Sequence, residues 1–461
     1  MTGLVTLSRS GPRGPARRDG PRPVGHRVFI ETYGCQMNIN DTELMHGILA
    51  ERGYLAVDDA SQADVILVNT CAIREHAEQR VIGRLGELQR HRRQRPELIL
   101  GVTGCMAQRI GDRLLREVPG VDLVAGPDAY RRLGGIIERM RAGALERGQR
   151  LLDLDASESY EGVHAIRRRG ATAWITVQRG CDHRCTFCVV PYVRGPEKNR
   201  SPRAVLAEAR EAVEHGYTEV TLLGQTVNSY RRGAWDFPRL LRAVARVPGM
   251  RRVRFTAPHP NDVTEALLEV IAEEPAVCRQ LHLPVQSGSN RILKRMVRRY
   301  RAETFREIVR TARTRVPGIA LSTDVIVGFP GESEEEFQAT VDLLEEVRFD
   351  DAFLYRYSKR EGTPATRFPA EEFVSEAVAR ERLVRIIARQ RAIQRELNET
   401  EVGTVQEVLV EREARSSGDL LGRTERNKVV AFEGNRELIG SYLEVRLTRT
   451  TGATFVGEQA A

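Results

Sequence analysis

The chain has 461 residues, of which 41% are hydrophobic and 29% are charged, with a formal net charge of +8. This length exceeds what one hydrophobic core usually serves, so we expect two or three domains of ordinary globular composition. No apolar run approaches the roughly 18 residues of a membrane span, and no apolar segment follows the N-terminal charges. From these features we expect a soluble, cytoplasmic protein that is not secreted.

Residues 1–26 are rich in Arg, Gly and Pro and predict a disordered basic arm, because they cannot bury enough apolar surface to fold. Residues 1–27 hold six Arg and one Asp, a net +5, which leaves only +3 for the rest of the chain. A solvated tail, an RNA-contacting arm and a cleaved targeting segment all remain open for this arm. The overall charge is therefore weak support for nucleic-acid binding.

Residues 27–150 repeat an apolar β-rich run followed by a polar helical stretch, which predicts a parallel α/β domain. Three of these runs, RVFIETYGC, ADVILVNTC and LILGVTGC, end in Cys35, Cys71 and Cys105, which are 36 and 34 residues apart. The ends of adjacent parallel strands meet at one sheet edge, so the three thiols would emerge together and could bind a metal cluster. A single cysteine is more often a small buried residue, but three in successive units disfavour that interpretation.

Residues 165–398 contain six further strand-like runs with helical segments between them, which predict a partial (β/α)6 barrel. The runs are AWITVQRGC, EVTLLGQ, RRVRFTA, QLHLPVQ, IALSTDVIVGF and DAFLYRYS. Within this range, 376–398 has the pattern of a surface helix with one apolar stripe, which we expect to link domains. Residues 400–461 change to short alternating runs (TVQEVLVE, KVVAFEG, YLEVRLT, ATFVGE) and predict a small antiparallel β-barrel.

Cys181, Cys185 and Cys188 form a C-x3-C-x2-C set directly after the first predicted barrel strand. Three thiolates can hold three irons of a 4Fe-4S cluster and leave the fourth iron for S-adenosylmethionine, whose reductive cleavage yields a 5′-deoxyadenosyl radical. A zinc loop would need a fourth ligand, either His183 or a distant residue. The position at the carboxyl end of a barrel strand favours iron. Cys278 has no partner at suitable spacing and is interpreted as a packing residue.

Polar residues recur where the predicted barrel strands end, where a cofactor's ribose, carboxylate and adenine would need hydrogen-bond partners. Each alone is more typical of a turn or cap. The set is Gln225, Asn228, His259, Gln286, Ser287, Asp324, Gly328 and Ser358.

The basic segment RILKRMVRRYR at 291–301 directly follows a predicted barrel strand end and could contact nucleic-acid phosphates. A solvated helix face is an equally good interpretation. The phosphate hypothesis predicts that charge reversal at Arg298 and Arg299 weakens RNA binding. The charge of the predicted small barrel is weaker evidence for phosphate binding, since residues 400–461 have eight Lys or Arg and ten Asp or Glu.

Residues 27–461 resemble the methylthiotransferases of the radical S-adenosylmethionine superfamily, and the last segment is similar to the TRAM domain, an RNA-binding module. Within the family, QMN after Cys35 and AIRE after Cys71 are similar to the MiaB branch, which modifies isopentenylated adenosine beside the tRNA anticodon. The strings that carry the resemblance are TYGCQMN, NTCAIRE, TGCMAQ, GCDHRCTFCVVPYVRG, LLGQTVNSY, LHLPVQSGSN and DVIVGFPGE.

The resemblance implies that Cys35, Cys71 and Cys105 bind an auxiliary 4Fe-4S cluster and that Cys181, Cys185 and Cys188 bind the cluster that cleaves S-adenosylmethionine. It implies methylthiolation of carbon 2 of N6-isopentenyladenosine with two S-adenosylmethionine molecules. Carbon 2 carries a hydrogen too weakly acidic for a side-chain base, which is why a radical is required. We also expect a flavodoxin-like or ferredoxin-like electron donor and a monomer.

One departure from the family pattern is Asn199 in RGPEKNR, where relatives commonly have Ser; it affects only contacts near that loop.

Three alternative functions remain open. A sister enzyme would modify threonylcarbamoyladenosine in tRNA or an aspartate of a ribosomal protein, and the QMN and AIRE strings disfavour it. A second is another radical transferase with a different transferred group. The third is a non-catalytic RNA-binding protein whose cysteines hold zinc.

Overall fold

The computed structural model describes residues 25–72, 75–168, 170–414 and 418–460. The arm predicted at 1–26 lies outside the described residues up to residue 24, as do Ile73 and Arg74 of the AIRE string. Within the described ranges, no helix is both long and apolar enough to cross a membrane.

The chain forms two compact units, which we describe separately. Unit 1 consists of residues up to 169 together with 178–183 and 189–200. Unit 2 consists of residues 170–177, 184–188 and 201–461.

Unit 1 is built on a six-stranded, fully parallel sheet, as the repeated strand and helix pattern predicts. In order across the sheet its strands are β2 (Leu55–Ala56), β1 (Arg27–Tyr33), β3 (Val65–Thr70), β4 (Ile99–Gly104), β5 (Leu123–Ala125) and β6 (Gln149–Leu151). Its helices are α1 (Gln36–Ala50), α2 (Glu75–Gln89), α3 (Cys105–Glu117), α4 (Tyr130–Arg141) and α5 (Val190–Arg194). A short antiparallel pair, β8 (Gln178–Arg179) and β9 (Lys198–Asn199), completes it.

Both faces of this sheet are covered, which explains why β3 and β4 are buried along their whole length. On one face, Val65 and Leu67 pack with apolar residues of α1 and α4. On the other face, Ile66 and Val68 pack with apolar residues of α2 and α3. The carboxyl edge of the sheet is consequently held between two cores.

Unit 2 contains six parallel strands in chain order, which are those of the predicted partial barrel. They are β7 (Thr172–Thr176), β10 (Glu219–Leu223), β13 (Arg252–Phe255), β14 (Gln280–His282), β15 (Ala320–Val327) and β16 (Asp351–Arg356). A parallel bridge between Val253 and Val277 places the segment before β14 beside β13. The intervening helices are α6 (Pro202–Glu214), α7 (Phe237–Ala245), α8 (Glu265–Glu273), α9 (Asn290–Arg295), α10 (Ala302–Arg315) and α11 (Glu334–Val347), and a hairpin joins β11 (Arg231–Arg232) to β12 (Trp235–Asp236).

The predicted linking helix is α12 (Glu376–Glu399), whose apolar stripe is buried at Ile386 and Ile393. After it, five strands close into the predicted small barrel. They are β17 (Val405–Glu413), β18 (Leu420–Thr424), β19 (Val429–Phe432), β20 (Tyr442–Thr450) and β21 (Thr454–Gln459). Neighbouring strands are antiparallel except β19 and β21, which are parallel.

The sequence pattern missed β18, because a glycine interrupts its alternation. Gly422 is required there, since a Cβ atom at this position would lie 2.4 Å from the carbonyl oxygen of Leu409 on β17. The glycine that hides the strand in the sequence is thus the residue that allows the two strands to approach.

Basic residues hold the small barrel against the rest of unit 2. Arg252 donates to the carbonyl oxygen of Glu407 at 2.7 Å, and Arg254 donates to that of Thr424 at 2.8 Å. Lys428 Nζ lies 2.9 Å from Asp350. These three cations are buried in intramolecular contacts, so they do not contribute to any phosphate-binding surface.

Candidate metal centres

The sheet of unit 1 brings the first predicted cysteine set to one edge. Tyr33 of β1 is in register with Thr70 of β3, and Thr70 is in register with Gly104 of β4. A cysteine follows each of these three residues within two positions. The three thiols that emerge there are Cys35, Cys71 and Cys105.

Two asparagines tie the turn after β1 to the end of β3. Cys35 Sγ donates to Asn38 Oδ1 at 3.4 Å. Asn38 Nδ2 in turn donates to Asn69 Oδ1 at 3.2 Å and to the carbonyl oxygen of Thr70 at 3.3 Å, and Asn69 Nδ2 returns a bond to the carbonyl oxygen of Asn38 at 2.8 Å. The asparagine of the QMN string therefore fixes the position of the Cys35 turn.

Two glycines make the close approach of these turns possible. Gly104 has a φ of +90°, and a Cβ there would lie 2.5 Å from both Asn69 Oδ1 and the carbonyl oxygen of Thr70. Gly34 has a φ of +140°, and a Cβ there would lie 2.5 Å from the Cβ of Cys71. Any other residue would be strained and would push the cysteine turns apart.

The three thiols have different electrostatic environments. A hydrogen bond from Cys71 and the charge of Arg194 lower the pKa of Cys35 to about 6, against the opposing effect of burial. Burial raises the pKa of Cys105, although the charge of Arg194 opposes that shift. Arg194 Nε donates directly to Cys105 Sγ at 3.2 Å. One buried guanidinium thus stabilises the thiolate form at two of the three cysteines.

Arg194 is itself held by a buried carboxylate. Its Nη2 donates to Asp41 Oδ2 at 2.8 Å, and Arg179 donates to the other carboxylate oxygen. The Asp41 side chain is 0% exposed. Burial alone would raise the pKa of Asp41, but the two guanidinium groups hold it below its usual range. Asp41, Arg179 and Arg194 form what we call the buried ion triad.

The second predicted cysteine set is divided between the units. In unit 1, the Cys181 amide donates to the carbonyl oxygen of Gly195 at 3.2 Å. In unit 2, the Cys188 amide donates to the carbonyl oxygen of Cys185 at 3.0 Å. The Thr186 hydroxyl donates to the carbonyl oxygen of Arg295 at 2.9 Å, which anchors this turn to α9.

Arg298 lies against the cysteine turn of unit 2. Its Nη1 donates to Cys185 Sγ at 3.5 Å, its Nη2 to the carbonyl oxygen of Pro284 at 2.9 Å, and its Nε to the Tyr300 hydroxyl at 2.9 Å. The residue is only 8% exposed. The interpretation of Arg298 as a phosphate-contacting residue was therefore wrong, because its guanidinium is already hydrogen-bonded inside unit 2. Arg299 is exposed, and its contribution to tRNA binding stays a prediction.

Among the predicted cofactor contacts, two amides have unused acceptors. Gln225 Oε1 and Gln286 Oε1 are buried and accept no hydrogen bond from the described residues. Gln286 also has a φ of +69°, and its backbone N–H donates to the carbonyl oxygen of Asp324 at 2.8 Å. Strained backbone of this kind is concentrated at functional sites. These two residues are suited to a polar ligand.

The other predicted contacts take part in the unit's own hydrogen bonds. Asn228 exchanges two bonds with the backbone of His259, at 2.9 and 2.7 Å. Ser287 Oγ accepts from the Ser289 amide at 3.2 Å, and the Gly328 amide donates to Glu332 at 2.7 Å. Asp324 lies 3.3 Å from His282. Ser358 is partly exposed. Asn228, Ser287 and Gly328 accordingly shape the loops at the strand ends.

Cys278 is 2% exposed, and burial raises its pKa to about 11. It belongs to the core, as the sequence indicates.

Asn199 is the departure from the family pattern. Its side-chain Nδ2 donates to Glu197 at 2.7 Å.

Sequence reasoning missed three residues that support the cysteines, namely Asp41, Arg179 and Arg194, and it gave a fourth, Arg298, the wrong role. A signal was present for two of them, because Arg179 and Arg194 each precede a glycine at the borders of the cysteine loop. The glycines have positive φ, and a Cβ at Gly180 would lie 2.0 Å from the carbonyl oxygen of Pro196. A charged residue held beside so tight a turn is a candidate for a buried role.

Three family profiles match the sequence. Residues 27–126 match the uncharacterized protein family UPF0004, residues 175–344 match the radical SAM superfamily, and residues 399–458 match the TRAM domain.

Curated relatives match nearly the whole chain. The tRNA-2-methylthio-N(6)-dimethylallyladenosine synthase of Chlorobium luteolum is 44% identical over 440 residues, covering 95% of this chain and 98% of the relative. The protein of the same name from Carboxydothermus hydrogenoformans is 42% identical, covering 91% and 96%. Among solved structures, the radical S-adenosylmethionine methyltransferase TsrM from Kitasatospora setae has a TM-score of 0.56 at 16% identity, covering 83% of this chain and 81% of its own. This last likeness is one of fold.

Proposed function

Because this chain belongs to the radical SAM family of tRNA-2-methylthio-N(6)-dimethylallyladenosine synthases, we propose that it adds a methylthio group to carbon 2 of N6-isopentenyladenosine beside the anticodon of tRNA. The observation that carries the proposal is the meeting of Cys35, Cys71 and Cys105 at one sheet edge of a chain that also has a C-x3-C-x2-C loop. Two separate cysteine sets are what a reaction needs when it must both generate a radical and deliver sulfur.

The donor sets suit two 4Fe-4S clusters. Cys35, Cys71 and Cys105 would hold the auxiliary cluster, and Cys181, Cys185 and Cys188 the cluster that binds S-adenosylmethionine. When bound, these groups would supply the radical and the sulfur that no side chain can provide. Three features of unit 1 support the fit: a cysteine with a lowered pKa, a guanidinium bonded to a second cysteine, and a buried Nη1 of Arg194 that has no partner among the described residues.

In unit 2, the unused acceptors of Gln225 and Gln286 support binding of S-adenosylmethionine, whose amino group and ribose hydroxyls are donors. Asp324, which lies within β15, is a further acceptor, and the backbone turns at Asn228, Ser287 and Gly328 would shape the pocket. Two S-adenosylmethionine molecules are consumed per modification, one for the methyl group and one for the radical.

The proposed partners are tRNA and a flavodoxin-like or ferredoxin-like electron donor, and the proposed state is a cytoplasmic monomer. We assign residues 27–150 to the auxiliary-cluster domain, 165–398 to the radical core and 400–461 to tRNA binding. The TRAM match at 399–458 supports the last assignment.

The test is anaerobic reconstitution with iron and sulfide, followed by incubation with reductant, S-adenosylmethionine and isopentenylated tRNA. Mass spectrometry of the nucleosides is expected to find 2-methylthio-isopentenyladenosine with the wild-type protein and with Cys278→Ala, which removes a core thiol, and none with Cys181→Ala. Formation of 5′-deoxyadenosine without that nucleoside would contradict the assigned substrate. Stoichiometric zinc without visible absorbance would contradict the assigned chemistry.

A further inference from the structure

We propose that Arg194 is a positioning residue of the auxiliary cluster: it holds the Cys105 thiolate by a charge-assisted hydrogen bond and raises the reduction potential of the cluster. The inference rests on the proposed function, because it requires a cluster at Cys35, Cys71 and Cys105. It concerns a residue outside both cysteine sets, and it assigns to that residue a measurable electrochemical effect.

The three nitrogens of the Arg194 guanidinium differ in their hydrogen-bond partners. Nε donates to Cys105 Sγ at 3.2 Å, and Nη2 donates to Asp41 at 2.8 Å. Nη1 is buried without a hydrogen-bond partner among the described residues. A buried donor that lacks an acceptor is costly, so Nη1 is available to a bound group that supplies an acceptor. The sulfur atoms of an iron–sulfur cluster are acceptors of this kind.

The charge of the buried ion triad favours the reduced cluster. Two guanidinium groups and one carboxylate leave one positive charge, and all three side chains are at most 4% exposed. Reduction adds one negative charge to a cluster that is already anionic through its thiolates. Hydrogen bonds to sulfur, net charge and burial are the factors that set such potentials. A buried cation bonded to a ligand sulfur therefore raises the potential.

Arginine is suited to this position because its planar fork can bond in three directions at once, whereas lysine is a single point charge. Asp41 holds the plane of the fork by its bond to Nη2. Arg179 provides a matched control, because it donates to the same carboxylate and its remaining buried nitrogens, Nε and Nη1, bond to no described residue. Loss of Arg179 disturbs the triad without removing a bond to a cysteine.

The test uses the full chain with Cys181, Cys185 and Cys188 changed to Ala, so that only the auxiliary cluster is present. Iron and sulfide are measured, and the midpoint potential is determined by a redox titration followed by electron paramagnetic resonance, without tRNA or S-adenosylmethionine. We expect Arg194→Gln to lower the reduction equilibrium constant tenfold, about 59 mV for one electron. Arg194→Lys should give a smaller shift in the same direction, and Arg179→Gln a smaller shift than Arg194→Gln.

Unchanged potentials in Arg194→Gln and Arg194→Lys at full iron content would overturn the inference and leave the proposed function intact. If Arg194→Gln fails to fold, Arg194→Lys decides alone, since it retains the charge and loses the fork. Equal shifts for Arg194→Gln and Arg179→Gln would also overturn the inference, because they would trace the effect to the triad rather than to the sulfur bond. Absence of an iron cluster from the Cys181, Cys185 and Cys188 variant would overturn both proposals.

Discussion

In each of the two cysteine sites an arginine donates a hydrogen bond to a cysteine, but the groups that hold the arginine differ between the sites. In unit 1, Arg194 donates to Cys105, and in unit 2, Arg298 donates to Cys185. Arg194 is held by the carboxylate of Asp41, whereas Arg298 is held by the Tyr300 hydroxyl and the Pro284 carbonyl oxygen.

The difference matters because removing the buried carboxylate leaves two guanidinium groups without a counter-charge, whereas removing a neutral oxygen leaves one charged donor without one acceptor. The site of unit 1 therefore depends on a set of charges that must all be present. The site of unit 2 has a more tolerant support, although its arginine is also buried.

The largest expected effect separates the functions of the two sites. Changing Cys35, Cys71 and Cys105 together to Ala should remove about four iron atoms and abolish methylthiolation, yet leave formation of 5′-deoxyadenosine. Changing Cys181, Cys185 and Cys188 should remove the other iron atoms and abolish both reactions. Iron analysis and nucleoside mass spectrometry check this. Loss of 5′-deoxyadenosine from both variants would mean that the sites cannot be distinguished by chemistry.

A smaller effect concerns the stability of the supports. Asp41→Asn keeps the side-chain volume but leaves Arg179 and Arg194 without a counter-charge, so it should lower the free energy of unfolding by about 3–5 kcal/mol. Tyr300→Phe removes the hydroxyl that accepts a hydrogen bond from the Arg298 guanidinium, and loss of a hydrogen bond to a charged group should cost about 1.5–3 kcal/mol. Denaturant unfolding of the metal-free proteins measures both. Equal losses would show that charge compensation does not distinguish the two supports.

The smallest expected effect is on the pH dependence of thiol reactivity in metal-free protein. Because the pKa of Cys35 is lowered to about 6, its thiolate fraction should rise between about pH 5 and 7, whereas that of Cys278 should rise only near pH 11. Arg194→Gln should move the Cys35 profile slightly to higher pH, since the hydrogen bond from Cys71 is the larger cause of the shift. Alkylation rates followed by peptide mass spectrometry test this; a Cys35 profile centred near pH 9 would contradict it.

The strands and the positions of the cysteines could be predicted from the sequence, because both depend on local patterns. An apolar run followed by a cysteine fixes the position of a thiol at a sheet edge, and the repeated unit does so three times. The pairing of these supports could not be predicted, because Asp41 bonds to residues 138 and 153 positions further along the chain. Arg298 was misinterpreted for the opposite reason: a run of basic residues resembles a solvated face, and nothing local shows that one of them is turned inward.

The dependence of unit 1 on residues 178–183 and 189–200 has a consequence for synthesis of the chain. Asp41 and Asp128 are both buried, and their cations, Arg179, Arg194 and Lys198, are translated after the whole parallel sheet. The ribosome adds roughly 5–20 residues per second, so the arginines and the lysine that neutralise these carboxylates are synthesised on the order of seconds after the sheet. A nascent chain that ends at residue 169 should therefore remain protease-sensitive, and unit 1 should not be obtainable as a continuous N-terminal fragment.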